Sequence, residues 1–204
     1  MEIEPNTFND AWNHPELTKK TKWRDAINKE FRDMKSRNVW TVIKRSEIPP
    51  ERRCVKHKWI FKIKRNGVYR ARLVACGCSQ VPGIDHDEFF APVVNEMTFR
   101  ILIICIILFK LSAKIADVET AFLYGDLEGI ELYMDCPQGL NTQPDKCLKL
   151  NKTIYGLVQS AHQFFKKLIK CLKDLGFTGG EVDPCLMVKK TNIGLVYVAI
   201  CLCG

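Results

Sequence analysis

The sequence predicts an α+β fold, and three observations predict it. Val55 to Ile63 alternates apolar with mostly cationic residues and meets Val68 to Ala75 across Arg65-Asn66-Gly67, the pattern of a β-hairpin. Trp23 to Met34 and Ser160 to Leu175 carry apolar residues at steps of three and four, the pattern of two amphipathic helices. Ile193 to Cys203 is a mostly apolar run with a β-branched start, which reads as a buried strand.

In chain order, residues 1–20 are polar and without periodicity, and read as a flexible arm ahead of a domain over 21–204. Thr21 is placed to cap the first helix. Trp40, Val42 and Ile43 suggest a short strand, closed by Pro49-Pro50. The hairpin follows. Asn-Gly favours a two-residue turn with both residues at positive φ. One face of the hairpin carries Trp59, Phe61, Ala71 and Leu73; the other carries Lys56, Lys58, Lys62, Lys64, Arg70 and Arg72. That cationic face fits a polyphosphate or nucleic acid, with an ordinary solvated sheet face as the alternative. Ser79 to Pro92 reads as a loop. Thr98 to Leu111 contains the most apolar run, Ile101 to Phe109, too short for the roughly 18 residues a membrane span needs, so it is expected to be a buried helix or strand. Ile130 to Cys136 alternates like a hairpin strand, and Gly176 closes the helix begun at Ser160.

Composition narrows the function classes. The formal net charge of +8 fits a polyanionic partner. Ten cysteines, with close pairs only as C-x-C at 76/78 and 201/203, lack zinc-module spacing, and His14, His57, His86 and His162 are scattered. With no signal peptide at the N-terminus, the cysteines read as free thiols of an intracellular protein, cytoplasmic or nuclear rather than secreted.

Several segments then align with one family. KWIFKIKRNGVYRARLVACGCSQVPGIDHDEFFAPVVNEMTFR (58–100), ADVETAFLYGDLEGIELYMDCPQGL (116–140), CLKLNKTIYGLVQSAHQFF (147–165) and GFTGGEVDPCLM (176–187) resemble copia-type LTR-retrotransposon reverse transcriptases, part of a Pol polyprotein. The resemblance implies right-hand polymerase fingers plus a partial antiparallel palm, truncated before the thumb, with the domain incomplete at its C-terminus. It implies RNA-directed DNA polymerase ancestry, an RNA/DNA template-primer and dNTP as partners, and magnesium as cofactor, held by three aspartates. Asp117 matches the first of these, with the backbone carbonyl of Val118 as a further ligand. The resemblance assigns Lys62, Lys64, Arg70, Arg72 and Phe122 to nucleotide binding, with Phe122 either a gate against the sugar 2′ position or a core phenylalanine. Tyr155, Gly156 and Gln159 resemble the template-side loop.

The departures matter as much. Ala199-Ile200 follow Tyr197-Val198 where the family has Asp-Asp; alternatively the strand continues through Ile200 and the Tyr-Val-Asp-Asp is deleted after it. Neither arrangement leaves a carboxylate to bind a hard cation. Cys76 and Cys78 replace an Arg and an aromatic, and Ala161-His162 replace Pro-Arg. The expected protein is therefore an inactive polymerase remnant. The competing readings are a nucleic-acid-binding or interaction module without catalysis, and an active nucleotidyltransferase.

Overall fold

The computed structural model describes residues 3–86, 90–127 and 129–201. It contains mixed helix and sheet: a four-stranded sheet, a two-stranded hairpin and a three-stranded meander. The expected loop at 79–92 and the expected terminal strand at 193–203 therefore have parts, 87–89 and 202–203, outside the described residues.

Residues 3–16 do not form a loose arm. Helix α1 (Phe8–Trp12) is capped by Thr7, whose hydroxyl accepts from the Asp10 N–H while the Asp10 carboxylate accepts from the Thr7 N–H. Phe8 and Ala11 are buried, and Phe8 packs on Trp59 with ring centroids 5.9 Å apart. Apolar residues spaced at three hide in a short, polar-looking stretch, so periodicity alone does not reveal them.

Helix α2 (Leu17–Ser36) starts a turn earlier than expected, and Thr21 lies inside it, its hydroxyl donating to the Leu17 carbonyl. Its buried stripe is Trp23, Ile27, Glu30 and Met34. Asn38 ends the run in the left-handed region (φ 53), and the Val39 N–H reaches back to the Met34 carbonyl, satisfying an otherwise orphaned helix acceptor.

Strand β1 (Trp40–Lys44) pairs antiparallel with β6 (Lys146–Leu150), β6 with β5 (Leu132–Asp135), and β5 parallel with the two-residue β2 (Cys54–Val55). Val55 thus belongs to this sheet and not to the hairpin. The hairpin itself is β3 (His57–Ile63) and β4 (Tyr69–Ala75), in register Trp59↔Leu73, Phe61↔Ala71 and Lys62↔Arg70. Its connection differs from the expected two-residue turn. The Lys64 N–H donates to the Val68 carbonyl, Gly67 alone takes positive φ (76°), and Asn66 does not, so residues 65–67 form a three-residue loop.

α2 lies along β4. Trp23 meets Phe61 (5.4 Å) and Tyr69 (4.5 Å) edge-on, and Phe31 meets Trp59 at 5.3 Å. Such pairs contribute about 1 kcal/mol each beyond area burial. This core continues into Leu132, Met134, Leu148, Leu150 and Ile154.

A second, smaller core holds Phe165, Cys185, Met187 and Ile200. It joins helix α4 (Ser160–Asp174), which ends before Gly176 (φ 85) as its sequence pattern indicates, to the meander β7 (Thr178–Gly179), β8 (Leu186–Thr191) and β9 (Gly194–Ala199).

Two expectations of burial fail here. The apolar run does form a helix, α3 (Glu96–Leu108), capped by the Asn95 side chain, but none of its residues is buried. β9 is an edge strand with Leu195, Val196 and Tyr197 exposed. The physical reason is a shortage of packing partners: no residue of α3 joins either buried core, and β9 meets the second core only through Val198. What holds the start of α3 is Asp183, whose carboxylate accepts from the Asn95 N–H at 2.9 Å and from the Cys185 N–H at 2.9 Å. Burial works to raise the pKa of Asp183, yet these donors outweigh it and hold the pKa below the ordinary carboxylate value.

The nine described cysteines form no disulfide. No helix among the described residues is long and apolar enough to cross a membrane.

Candidate nucleic-acid interface

The candidate interface starts from strand alternation. Because Lys62 stands opposite Arg70 and Ile60 opposite Arg72, these side chains share the face of the hairpin turned away from the Trp59–Phe61 core. Lys58 and Lys62 on that face are exposed, as is Lys64 at the turn. The N-terminal segment secures the edge of β3: Glu4 accepts from the Ile63 N–H at 2.8 Å and lies 3.6 Å from the Lys62 ammonium.

The other end of the hairpin meets the loop before α4. The Ala75 N–H donates to the Tyr155 carbonyl at 2.8 Å. Gly156 follows at φ 83, where an added Cβ would sit 2.2 Å from the Ala75 carbonyl oxygen, so only glycine lets the two backbones approach. This crossing brings Tyr155 beneath Arg72, whose guanidinium lies 4.9 Å from the ring centroid. Tyr155 in turn meets Phe122 edge-on at 5.4 Å, and Phe122 meets Phe164 at 6.4 Å. Burial raises the pKa of the Tyr155 phenol against the opposing pull of Arg72 and Arg70.

Arg70, Arg72, Phe122 and Tyr155, predicted from separate motifs, therefore lie in one neighbourhood. Phe122 sits on a 3₁₀ turn (Ala121–Tyr124), half-buried, between Tyr155 and Phe164. That placement is compatible with both readings of Phe122.

Gln159, which resembles a template-side residue, is turned into the protein. It is 1% exposed. Its amide donates to the Asp85 carbonyl at 3.0 Å and accepts from the Gln80 amide at 3.0 Å, while Gln80 accepts from the Val158 N–H at 2.8 Å. Both ends of the Gln159 amide are thus used in fastening the 155–160 loop to the 77–86 loop.

The carboxylate side of the site is sparse. Asp117 and Val118 lie exposed in an irregular stretch. The neighbouring Glu119 is engaged by Lys29 at 2.8 Å. Ala199 ends β9, and Ile200 turns into the second core against Phe165, Cys185 and Met187. Among the described residues no group of three or more His, Cys, Asp or Glu side chains is arranged to hold a metal ion. One carboxylate and one carbonyl oxygen do not make a site for two magnesium ions, and Ala199 and Ile200 have no side-chain oxygen to add. The residues present do not fit the expected cofactor.

One residue at this site is missed by sequence reasoning. Glu30 of α2 is 6% exposed, and its carboxylate accepts from the Leu73 N–H at 3.1 Å, on the outer edge of β4 one residue beyond Arg72. Burial pushes its pKa up to about 7, with the Leu73 N–H and both arginines pulling the other way. The available signal was a charged residue in the stripe 23, 27, 30, 34, where an apolar one is the rule.

Comparison with known proteins agrees with this arrangement of motifs. The family model described as "Reverse transcriptase (RNA-dependent DNA polymerase)" matches residues 37–202. The retrovirus-related Pol polyprotein from transposon TNT 1-94 of Nicotiana tabacum is 34% identical over 194 residues, covering 92% of this chain and 14% of the relative. The corresponding polyprotein from transposon RE1 of Arabidopsis thaliana is 31% identical, covering 98% of this chain and 13% of the relative. The transposon Ty1-DR5 Gag-Pol polyprotein of Saccharomyces cerevisiae is 29% identical, with coverage of 85% and 10%. The chain therefore spans a small fraction of the length of these relatives. No solved structure matches it.

Proposed function

Because the chain belongs to the reverse transcriptase (RNA-dependent DNA polymerase) family found in retrotransposon Pol polyproteins, we propose that it is a polymerase remnant that binds nucleic acid without extending it. The observation that carries this reading is the cationic hairpin face, with Lys62 beside Arg70 and Arg72 stacked on Tyr155. In this reading β3–β4 corresponds to the fingers, and α4 with the β7–β9 meander to part of the palm. Template-primer and dNTP are the ancestral ligands. Magnesium is the ancestral cofactor, and Asp117 a surviving ligand whose partners are gone at Ala199-Ile200.

Two physical features support binding. Lysine and arginine neutralise phosphates and release counterions, which needs no catalytic group. Arg72, held over the Tyr155 ring, offers a planar cation suited to stacking with bases. Catalysis is a different demand: two dications repel each other unless several carboxylates hold them.

The test is fluorescence anisotropy of a labelled oligo(dT) strand and of a poly(rA)/oligo(dT) duplex across a salt series. Binding should weaken steeply with salt, and Lys62→Ala with Arg72→Ala should reduce the logarithmic slope by about 0.7–0.9 per lost phosphate contact. A slope unchanged by the double substitution would remove the hairpin from the interface.

A further inference from the structure

Glu30 has no part in the ancestral metal chemistry, yet it is a buried acid next to two phosphate-binding candidates. We propose that Glu30 is a positioning residue that couples a proton to anion binding at Arg70 and Arg72, so that the site takes up a proton when a phosphate-bearing strand arrives. The inference rests on the reading of the hairpin as a nucleic-acid interface.

The geometry is as follows. α2 packs along β4 and presents Glu30 in line with Ile27 and Met34, all three buried. The Glu30 carboxylate accepts from the Leu73 N–H, a donor left over because β4 is the outer strand of a two-stranded sheet. Arg72 immediately precedes Leu73 and Arg70 lies three residues before it, and both act on Glu30 electrostatically. The other charged or titratable groups facing it are Asp33, from its own helix, and the Tyr155 phenol, from the loop before α4.

Arg72 is only partly used by the protein. Its guanidinium stacks on Tyr155, while its Nε is buried and, among the described residues, without a hydrogen-bond partner. A phosphate would meet the guanidinium through whichever of its other N–H groups solvent can reach.

A phosphate there is a second anion in the field of the two arginines whose charges already act on Glu30. Like charges in such proximity favour protonation of the weaker acid. Glu30 titrates at about 7 before any ligand binds, so an approaching anion raises that value further and binding draws in a proton. By linkage, affinity is highest when Glu30 is protonated and falls as pH rises past 7. If the anion raises the Glu30 pKa by one unit, affinity drops roughly tenfold between pH 6 and pH 8.5.

The experiment measures oligo(dT) anisotropy with the full chain at pH 6 and pH 8.5, in wild type and in Glu30→Gln. The amide of glutamine keeps an acceptor for the Leu73 N–H but cannot titrate. The expected result is roughly tenfold weaker binding at high pH in wild type and a flat profile in Glu30→Gln, with affinity near that of wild type at pH 6. The variant is needed because histidines titrate in the same range.

A second measurement uses the wild-type chain alone. Calorimetric titration near pH 7, in two buffers of different ionisation enthalpy, should show net proton uptake on binding. Zero uptake, or a pH dependence that survives in Glu30→Gln, overturns the role of Glu30 while leaving the hairpin interface standing. Absence of oligonucleotide binding at every pH overturns the hairpin reading and this inference together.

Discussion

Helices α2 and α3 make the most instructive comparison in the molecule. α2 is largely polar, yet its stripe of Trp23, Ile27 and Met34 is fully covered by β4 and its neighbours. α3 is nearly all apolar (EMTFRILIICIIL), and Ile101, Ile104, Ile107 and Leu108 are all exposed. Hydrophobicity measures how much a segment gains from burial; it does not supply the surface that buries it. The α2 half has a closed core, whereas α3 and the edge strand β9 each expose apolar residues of the kind that drive association.

The strongest way to break this contrast is a pair of substitutions. Trp23→Ala should cost about 3–5 kcal/mol in a denaturant melt, because it empties the junction of α2 and the hairpin. Ile107→Lys in the far more apolar helix should change stability by less than about 0.5 kcal/mol. It should also lower the aggregated fraction seen by light scattering. A large stability loss at Ile107 would mean that α3 has a partner surface after all.

The next effect is a pH dependence within the well-packed half. The folded-state pKa of Glu30 is raised from 4.5 to about 7. The protonated acid is therefore favoured by folding: its stabilisation is fully present below pH 4.5 and is lost as pH rises through 7. At 1.36 kcal/mol per pKa unit the loss is of order 3 kcal/mol. Melts of wild type and Glu30→Gln between pH 5 and pH 8 should diverge with rising pH, the variant being the more stable at the alkaline end. Parallel curves would show that Glu30 is not held in a desolvated site.

Smaller effects sharpen the picture of how the loop before α4 is held. Gln159→Leu leaves the Gln80 amide and the Asp85 carbonyl without their partner and should cost about 1–3 kcal/mol. Hydrogen exchange at the Val158 and Ala75 amides should speed up together, since both fasten the 155–160 loop, Val158 to Gln80 and Ala75 to the Tyr155 carbonyl. Lys62→Ala should be the mildest: its pair with Glu4 is largely exposed, and such pairs contribute at most about 1 kcal/mol. Its consequence belongs to nucleic-acid binding.

The legibility of the sequence follows the same division. Alternation gave the faces of β3 and β4 because a pleated strand has a strict period of two, and the 160–175 stripe with Gly176 gave α4 because helix period and stop signal agree. Motif order also pointed to Arg70, Arg72, Phe122 and Tyr155, although only the crossing at Gly156 explains why they come together. The inward turn of the Gln159 amide was not legible because the same side chain can face a ligand or a neighbouring loop, and sequence does not show which. Glu30 was overlooked because its partner is a backbone N–H on β4, which no side-chain pattern encodes. The burial of α3 and β9 was over-predicted because an apolar run implies a partner that the sequence does not itself locate.

The most direct test of a nucleic-acid-binding remnant that does no chemistry is primer extension on poly(rA)/oligo(dT) with magnesium, using protein already shown by anisotropy to bind that duplex. The account predicts a bound but unextended primer, with Asp117 unable to act alone beside Ala199 and Ile200. Template-dependent extension by the native chain would contradict it and would mean that the metal ligands come from residues other than those that match the family motif.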